Sequence, residues 1–177
     1  MCSVITHPVV PLALSVFLPE GTSSSALLIA GAVCSVIPDL DVIGFSFGIS
    51  YGDMLGHRGL SHSISFAVVL ATLLTLTLFR DAHANHFVVF LFLFLSTLSH
   101  PLLDALTNGG LGVALFAPFS NERYFFPWRP IEVSPIGVGS FLSARGLQVL
   151  WSEFKWVWLP SSVVFAVGQI IRRYVYS

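Results

Sequence analysis

The run from Leu60 to Phe79 constrains this chain most, because it holds twenty residues without a Lys, Arg, Asp, Glu, Gly or Pro. At about 1.5 Å per residue, a helix of this length crosses the ~30 Å hydrocarbon core of a bilayer. The composition agrees: 55% of the 177 residues are hydrophobic and only 10% are charged, against about 25% charged in a typical soluble domain. The sequence therefore predicts an integral membrane protein.

The charge balance excludes further classes. Eight Lys and Arg against nine Asp and Glu give a formal net charge of -1, which creates no field that would gather a polyanion, so we expect no direct nucleic-acid binding. The apolar excess rules out a disordered chain. Two cysteines, Cys2 and Cys34, cannot form a disulfide framework. We expect one domain over residues 1–177.

Four other apolar segments accompany the first one. Val4 to Leu18 and Ser24 to Ile37 form a short hairpin, and Phe87 to Leu106 is again long enough to span. Trp156 to Ile171 has tryptophans at one end and arginines at the other, which is typical of a span anchored at both interfaces. These patterns predict an all-α fold, a polytopic membrane helical bundle with about four to five hydrophobic helices.

The order of these segments predicts where the polar residues meet. Each crossing changes the side of the membrane on which the next loop emerges, so both ends of the hairpin, the start of the third segment and the end of the fourth segment share one face. His83 and His86 fall on the opposite side. The residues expected at the shared face are His7, Asp39, Asp41, His57, His62, His100 and Asp104.

Two short motifs in this set carry carboxylates. His100 and Asp104 are four residues apart, so on a helix they project from one face and can share a metal ion. Alternatively, they form a hydrogen-bonded pair inside the bundle. In Pro38-Asp39-Leu40-Asp41, an extended backbone would put both carboxylates on one face. The alternative is a turn in which Asp is a cap.

The segment Gly56 to Ser63 is the densest group. His57 and His62 supply imidazoles, and Ser61 or Ser63 can cap the following helix. A single histidine here would be an ordinary interfacial residue. Because two histidines lie opposite several carboxylates, we interpret them as metal ligands. His7 joins them only through the shared face.

Residues 107–155 form a long connection of 49 residues, more than an idle loop needs. We interpret it as a long, partly ordered, lid-like loop near the metal site, in which Arg123 or Arg129 holds an anionic oxygen, because guanidinium matches phosphate geometry. An aromatic segment lying in the headgroup region is the equal alternative.

Together, Thr6-His7, Pro38 to Asp41, Gly56 to Ser63, Ser99 to Thr107 and Phe116 to Pro130 resemble the YdjM-like family of LexA-binding, inner-membrane-associated metal-dependent hydrolases of bacteria. The match in order and spacing covers Thr6 to about Ile131. That family is remotely similar to the all-helical zinc-dependent phospholipase C and single-strand nuclease superfamily.

The remote resemblance implies that His7, Asp39, His57 or His62, His100 and Asp104 hold zinc. The chain departs from that pattern after Asp104, since no His follows His100. The resemblance then implies one or two metal ions instead of three, with Glu122 or Glu132 as late substitutes.

The leading hypothesis is a multi-pass enzyme of the bacterial inner membrane that hydrolyses a phosphoester, of a lipid or another membrane-proximal substrate, through a metal-activated water. Zinc is the first choice of divalent metal, with manganese and iron open. Two alternatives are a metal or proton transporter and a membrane-tethered interaction protein of the LexA-binding type with a vestigial site. The expected metal ligands are His7, Asp39, His57, His62, His100 and Asp104, and the residues expected to assist catalysis are Asp41 as ligand or orienter and Arg58 and Arg129 as charge stabilisers.

Overall fold

A computed structural model describes residues 1–81 and 84–175, and it confirms the all-helical bundle. His83 lies outside the described residues. Each predicted apolar segment contains a helix, and two isolated bridges are the only β pairing in the described ranges. The α-helices are α1 (Val9–Leu14), α2 (Ser25–Cys34), α3 (Ile64–Thr77), α4 (His86–Ala105), α5 (Val138–Phe141), α6 (Ala144–Glu153) and α7 (Leu159–Val175).

Helix α4 is the central element. Asn85 caps its start by accepting a hydrogen bond from the backbone N–H of Phe87. Val89, Phe92 and Leu93 are buried against α2 and α3. Gly31 of α2 faces the ring of Phe92 so closely that any side chain there would collide with it. The small residue therefore sets the close approach of α2 to α4.

Helix α3 is shorter than the sequence predicts. Its α-helical part runs from Ile64 to Thr77, 14 residues, which at about 1.5 Å per residue is short of a ~30 Å hydrocarbon core. The reason lies at its start: Leu60–His62 forms a 3-10 turn, and Ser63, in an extended conformation, accepts a hydrogen bond from Phe66 N–H at 3.0 Å. The expectation that Ser61 or Ser63 caps this helix is therefore confirmed for Ser63. The 3-10 turn before it removes Leu60–His62 from the predicted span.

The last apolar segment is longer than predicted. Helix α6 continues through a π-helical turn, Phe154–Trp158, into α7, so that one apolar helix of 31 residues extends over Ala144–Tyr174. The connection predicted over residues 107–155 therefore ends before Ala144. The described residues hold two helices long and apolar enough to span a membrane, this one and α4, with a third if α2 and Ile37–Phe47 count as one broken span.

Of the two conformations considered for the carboxylate motif after α2, the extended one is not adopted. Ile37–Phe47 is a run of 3-10 turns with Pro38 in its first turn, and it bends away from α2 by 41°. Proline is tolerated at the start of a helix, because its missing N–H has no helical partner there. The run places Asp39 beside His100 and Asp41 beside His57, with His62 near both carboxylates.

Candidate metal centre

Four residues from three elements form a buried cluster, which we call the metal centre: Asp39, His62, His100 and Asp104. One ligand atom from each lies within 4.8 Å of the others. Asp39 comes from the 3-10 run after α2, and His62 from the turn before α3. His100 and Asp104 come from the last turns of α4, on one face as their spacing predicts. All four side chains are buried.

The distances inside the metal centre match those around a small cation. His100 Nε2 lies 3.3 Å from Asp39 Oδ1 and 3.1 Å from His62 Nε2. His62 Nε2 lies 3.8 Å from Asp39 Oδ1 and 3.7 Å from Asp104 Oδ2. Adjacent ligand atoms of a tetrahedral zinc site are separated by about 3.3 Å when each bond to the metal is about 2.0–2.1 Å.

The hydrogen bonds on the far sides of the two rings determine which nitrogen faces the centre. His100 Nδ1 lies 2.7 Å from the Ser35 carbonyl oxygen, which only accepts, so Nδ1 carries the proton. His62 Nδ1 lies 3.0 Å from Ser61 Oγ, whose own proton goes to Asp41 Oδ2, and 3.1 Å from that Asp41 oxygen, so this Nδ1 carries a proton as well. In the neutral tautomers both Nε2 atoms therefore present lone pairs to each other. Two facing lone pairs repel unless a proton or a metal cation lies between them.

The pKa of His62 indicates how strongly this position favours a cation. Burial alone would lower the pKa of the ring, but the nearby carboxylates of Asp104 and Asp41 raise it to about 9. A site that retains a proton so firmly also attracts a metal cation, which competes with that proton for the same lone pair.

Buried atoms without partners provide a separate test of fit. Among the described residues, neither oxygen of Asp39 and neither ring nitrogen of His7 has a hydrogen-bond partner, and His57 Nε2 has none either. Buried polar atoms are almost always hydrogen-bonded, and an exception calls for an explanation. Ligation explains these atoms, because carboxylate oxygens and imidazole nitrogens are zinc donors.

Asp41 connects His57 to the metal centre without itself facing it. Its Oδ1 lies 2.6 Å from His57 Nδ1, and its Oδ2 accepts hydrogen bonds from Ser61 Oγ at 2.6 Å and Arg58 N at 3.0 Å. With His62 included, Asp41 orients two imidazoles, the arrangement by which an outer carboxylate fixes the tautomer of a ligating histidine. Of the two roles predicted for Asp41, ligand and orienter, these bonds favour the orienter.

Arg58 supports Asp104 from the side. Its Nε lies 2.9 Å from Asp104 Oδ2. The guanidinium also donates to the Gly109 carbonyl and to Thr107 Oγ1, each at 3.0 Å. The backbone φ of Arg58 is 63°, in the left-handed region that costs a non-glycine residue energy. The chain adopts this conformation where it turns from His57 towards His62, which separates the two imidazoles.

His7 lies on the outer side of His100. The two rings stack with centroids 3.7 Å apart and planes 15° from parallel, and His7 Nε2 lies 3.9 Å from Asp104 Oδ1. Burial, followed by the nearby His100 ring, lowers the pKa of His7 to about 3. The imidazole is therefore neutral and has an unused lone pair. His7 thus lies with the predicted set, although it is not one of the four residues of the metal centre.

The predicted lid divides into two parts. Arg123 donates to the backbone carbonyls of His57, Tyr51 and Asp53, which attaches residues 107–131 to the loop that carries His57. Arg129 lies at the surface with its guanidinium 4.7 Å from the centre of the Phe125 ring. The proposed late ligands are also apart from the centre: Glu122 accepts from Tyr124, and Glu132 pairs with Arg145.

Sequence reasoning missed Glu153, which is fully buried at the end of α6. Its oxygens accept hydrogen bonds from Ser3 N, Ser3 Oγ, Thr6 Oγ1 and the Cys2 thiol. Burial, reinforced by the Glu153 charge, raises the pKa of that thiol well above its ordinary value, so it stays a donor. Cys2 N in turn donates to Asp104 Oδ1 at 2.6 Å. The available signal was that Glu153 is the only Asp or Glu in the sequence after Glu132.

Comparison with known proteins gives a consistent location. The model of the family described as YdjM inner membrane protein matches residues 1–175. Inner membrane protein YbcI of Escherichia coli (strain K12) is 41% identical over 173 residues, which are 98% of this chain and 100% of that protein. No solved structure matches the chain.

Proposed function

The chain belongs to the YdjM inner membrane protein family, and from this premise we propose that it is a metal-dependent hydrolase of the membrane that acts on a phosphoester. The inner membrane gives it lipids as the most abundant phosphoesters within reach. The resemblance of its motifs to metal-dependent hydrolases supplies the reaction class, and the described residues supply the chemistry.

The observation that carries the proposal is the pair of Nε2 atoms of His62 and His100, 3.1 Å apart, with both Nδ1 atoms committed to other partners. Adding Asp39 and Asp104 gives two nitrogen and two oxygen donors, a set that suits zinc. Bound there, a divalent metal supplies Lewis acidity and a nucleophilic water near neutral pH.

The residues around the metal centre have separate roles in this proposal. Asp41 binds Nδ1 of His57 and leaves the Nε2 lone pair of that ring unused. His57 Nε2 is therefore available as a further metal ligand or as the acceptor of a proton from water. Arg58 pairs with Asp104, its Nε 2.9 Å from Oδ2, and so fixes the position of that carboxylate. Because each of its guanidinium nitrogens lies 2.9–3.0 Å from a protein oxygen, Arg58 serves here as a positioning residue.

A metal analysis joined to a hydrolysis assay tests the proposal. The wild-type protein, purified in detergent without chelators, is expected to contain about one equivalent of a divalent metal, to hydrolyse bis(p-nitrophenyl) phosphate or a phosphatidyl substrate, and to lose both properties after chelation. Zinc, manganese or iron should then restore turnover to different extents and so identify the metal.

His100→Ala is the informative variant and His86→Ala its matched control. Both histidines lie on α4, but His86 is exposed at the other end with Nε2 2.9 Å from the Arg80 carbonyl oxygen. We expect His100→Ala to lose metal and turnover, and His86→Ala to retain both. Metal-free wild-type protein, or equal metal content in the two variants, would contradict the proposal.

The two alternatives make different predictions. A transporter needs polar groups along a path, yet the buried side chains of α4 nearest His86 are Val89, Phe92 and Leu93. Metal uptake into proteoliposomes without ester turnover would nevertheless favour transport. An interaction protein with a vestigial site would retain partner binding, tested with LexA, when every ligand of the metal centre is replaced.

A further inference from the structure

A cleft of about 340 Å³ opens beside the metal centre. Three separate segments contribute its walls: the N-terminal turn, the 3-10 run Ile37–Phe47 and the segment that leads into α6. The volume lies within the range typical of small-molecule sites, about 300–1,000 Å³. The apolar side chains that line it are Met1, Val4, Ile5, Val42, Pro135, Ile136 and Phe141.

Asp39 connects this cleft to the metal centre. It belongs to both, and among the described lining residues it supplies the one ionisable side chain. It is only 5% exposed, and its two oxygens have no hydrogen-bond partner among the described residues. The cleft therefore meets the metal centre at Asp39, and its other walls are mainly apolar, with Ser3 and Ser134 as the two hydroxyl-bearing residues among them.

We propose that the cleft holds the hydrocarbon tail of a membrane lipid phosphoester whose phosphate lies at the metal centre. This inference rests on the proposed function and adds the substrate class to it. The bond that breaks is the phosphoester bond at the polar end, and water supplies the hydroxyl and the proton that the two products gain. The tail takes no part in the reaction and serves recognition alone.

The walls favour a tail over a soluble substrate. Val4, Ile5 and Ile136 are 44%, 55% and 47% exposed, so apolar surface is available at the mouth of the cleft. The nearby hydroxyl groups are already used: Ser3 Oγ donates to Glu153, and Ser134 Oγ faces the Pro135 carbonyl. A sugar or nucleoside would bury its hydroxyl groups there without partners, which is costly, whereas methylene groups need none.

Photolabelling tests the site without relying on turnover. The probe is decyl phosphate with a diazirine at the end of its chain, added to full-length protein in phosphatidylcholine nanodiscs. Mass spectrometry should locate the label on the apolar lining residues of the cleft. Val42→Trp, which fills the cleft, should lower that labelling by about fivefold or more, while Val69→Trp on the exposed face of α3 should not. Ile136→Trp, at the exposed mouth, repeats the test if Val42→Trp folds poorly.

A chain-length comparison distinguishes this inference from the proposed function. For methyl and decyl p-nitrophenyl phosphate, the ratio of kcat/KM should favour the decyl ester, and Val42→Trp or Ile136→Trp should lower that ratio about tenfold relative to Val69→Trp. An unchanged ratio, or label outside the cleft, overturns the tail site while hydrolysis itself stands. Absence of turnover overturns the proposed function, and the labelling then decides the tail site alone.

Discussion

The molecule contains two buried polar clusters that share one end of the bundle and differ in how their atoms are satisfied. Around Glu153, each carboxylate oxygen accepts hydrogen bonds from protein donors. In the metal centre, the oxygens of Asp39 accept no hydrogen bond from the described residues, and the two imidazole Nε2 atoms, 3.1 Å apart, are satisfied only when a proton or a cation lies between them. A cluster that satisfies itself serves the fold, whereas one that leaves donors and acceptors open needs a further component.

Two isosteric substitutions should separate these roles. Glu153→Gln replaces an acceptor oxygen by an amide nitrogen opposite two hydroxyl groups, so we expect the free energy of unfolding to fall by about 3 kcal/mol. Asp39→Asn removes a charge without breaking a hydrogen bond. It should lower metal affinity more than about 100-fold, beyond the effect of losing an outer partner, and change the stability of the metal-free protein by less than about 1 kcal/mol.

Thermal unfolding in detergent, with and without chelator, and metal titration measure both quantities. The comparison would fail if Glu153→Gln lost metal as strongly as Asp39→Asn while remaining folded. It would also fail if Asp39→Asn destabilised the chelated protein by as much as Glu153→Gln does.

Asp41 combines features of the Glu153 cluster and of the metal centre. Its oxygens are hydrogen-bonded, as those of Glu153 are, and it also orients two imidazoles. Asp41→Asn should therefore show both effects in smaller measure: a loss of metal affinity of about 10- to 100-fold and a destabilisation of about 1–2 kcal/mol. Metal titration and unfolding of the same preparation, with Asp53→Asn as an exposed control, check this. An affinity equal to that of wild type would show that Asp41 is not needed to hold the rings.

Arg129 belongs to neither cluster, since its guanidinium lies over the Phe125 ring at the surface. Arg129→Ala should change stability by less than about 0.5 kcal/mol and leave metal content unchanged. Steady-state kinetics on the decyl ester decide whether Arg129 holds an anionic oxygen as the sequence predicts. A rise in KM would support that role, and unchanged kinetics would assign Arg129 to the aromatic segment.

The sequence predicted well where local spacing determines geometry. His100 and Asp104 share a helical face because they are four residues apart, and the alternating order of apolar segments placed distant histidines at one end. The sequence did not predict that His62 belongs to the metal centre while His57 lies beside it. That difference depends on the left-handed backbone of Arg58 and on the 3-10 turn that follows. Glu153 was missed since the final helix begins at Ala144 and not at the aromatic cluster.

The Glu153 contacts also determine the order in which the chain can mature. Ser3 and Glu153 are 150 positions apart, so the segment that carries His7 has no anchor of this kind until α6 has been synthesised. Closing so long a loop is entropically unfavourable until its contacts form. A nascent chain in which α4 is already inserted therefore contains all four residues of the metal centre, whereas the contacts that hold the segment before His7 form only after α6 has been made.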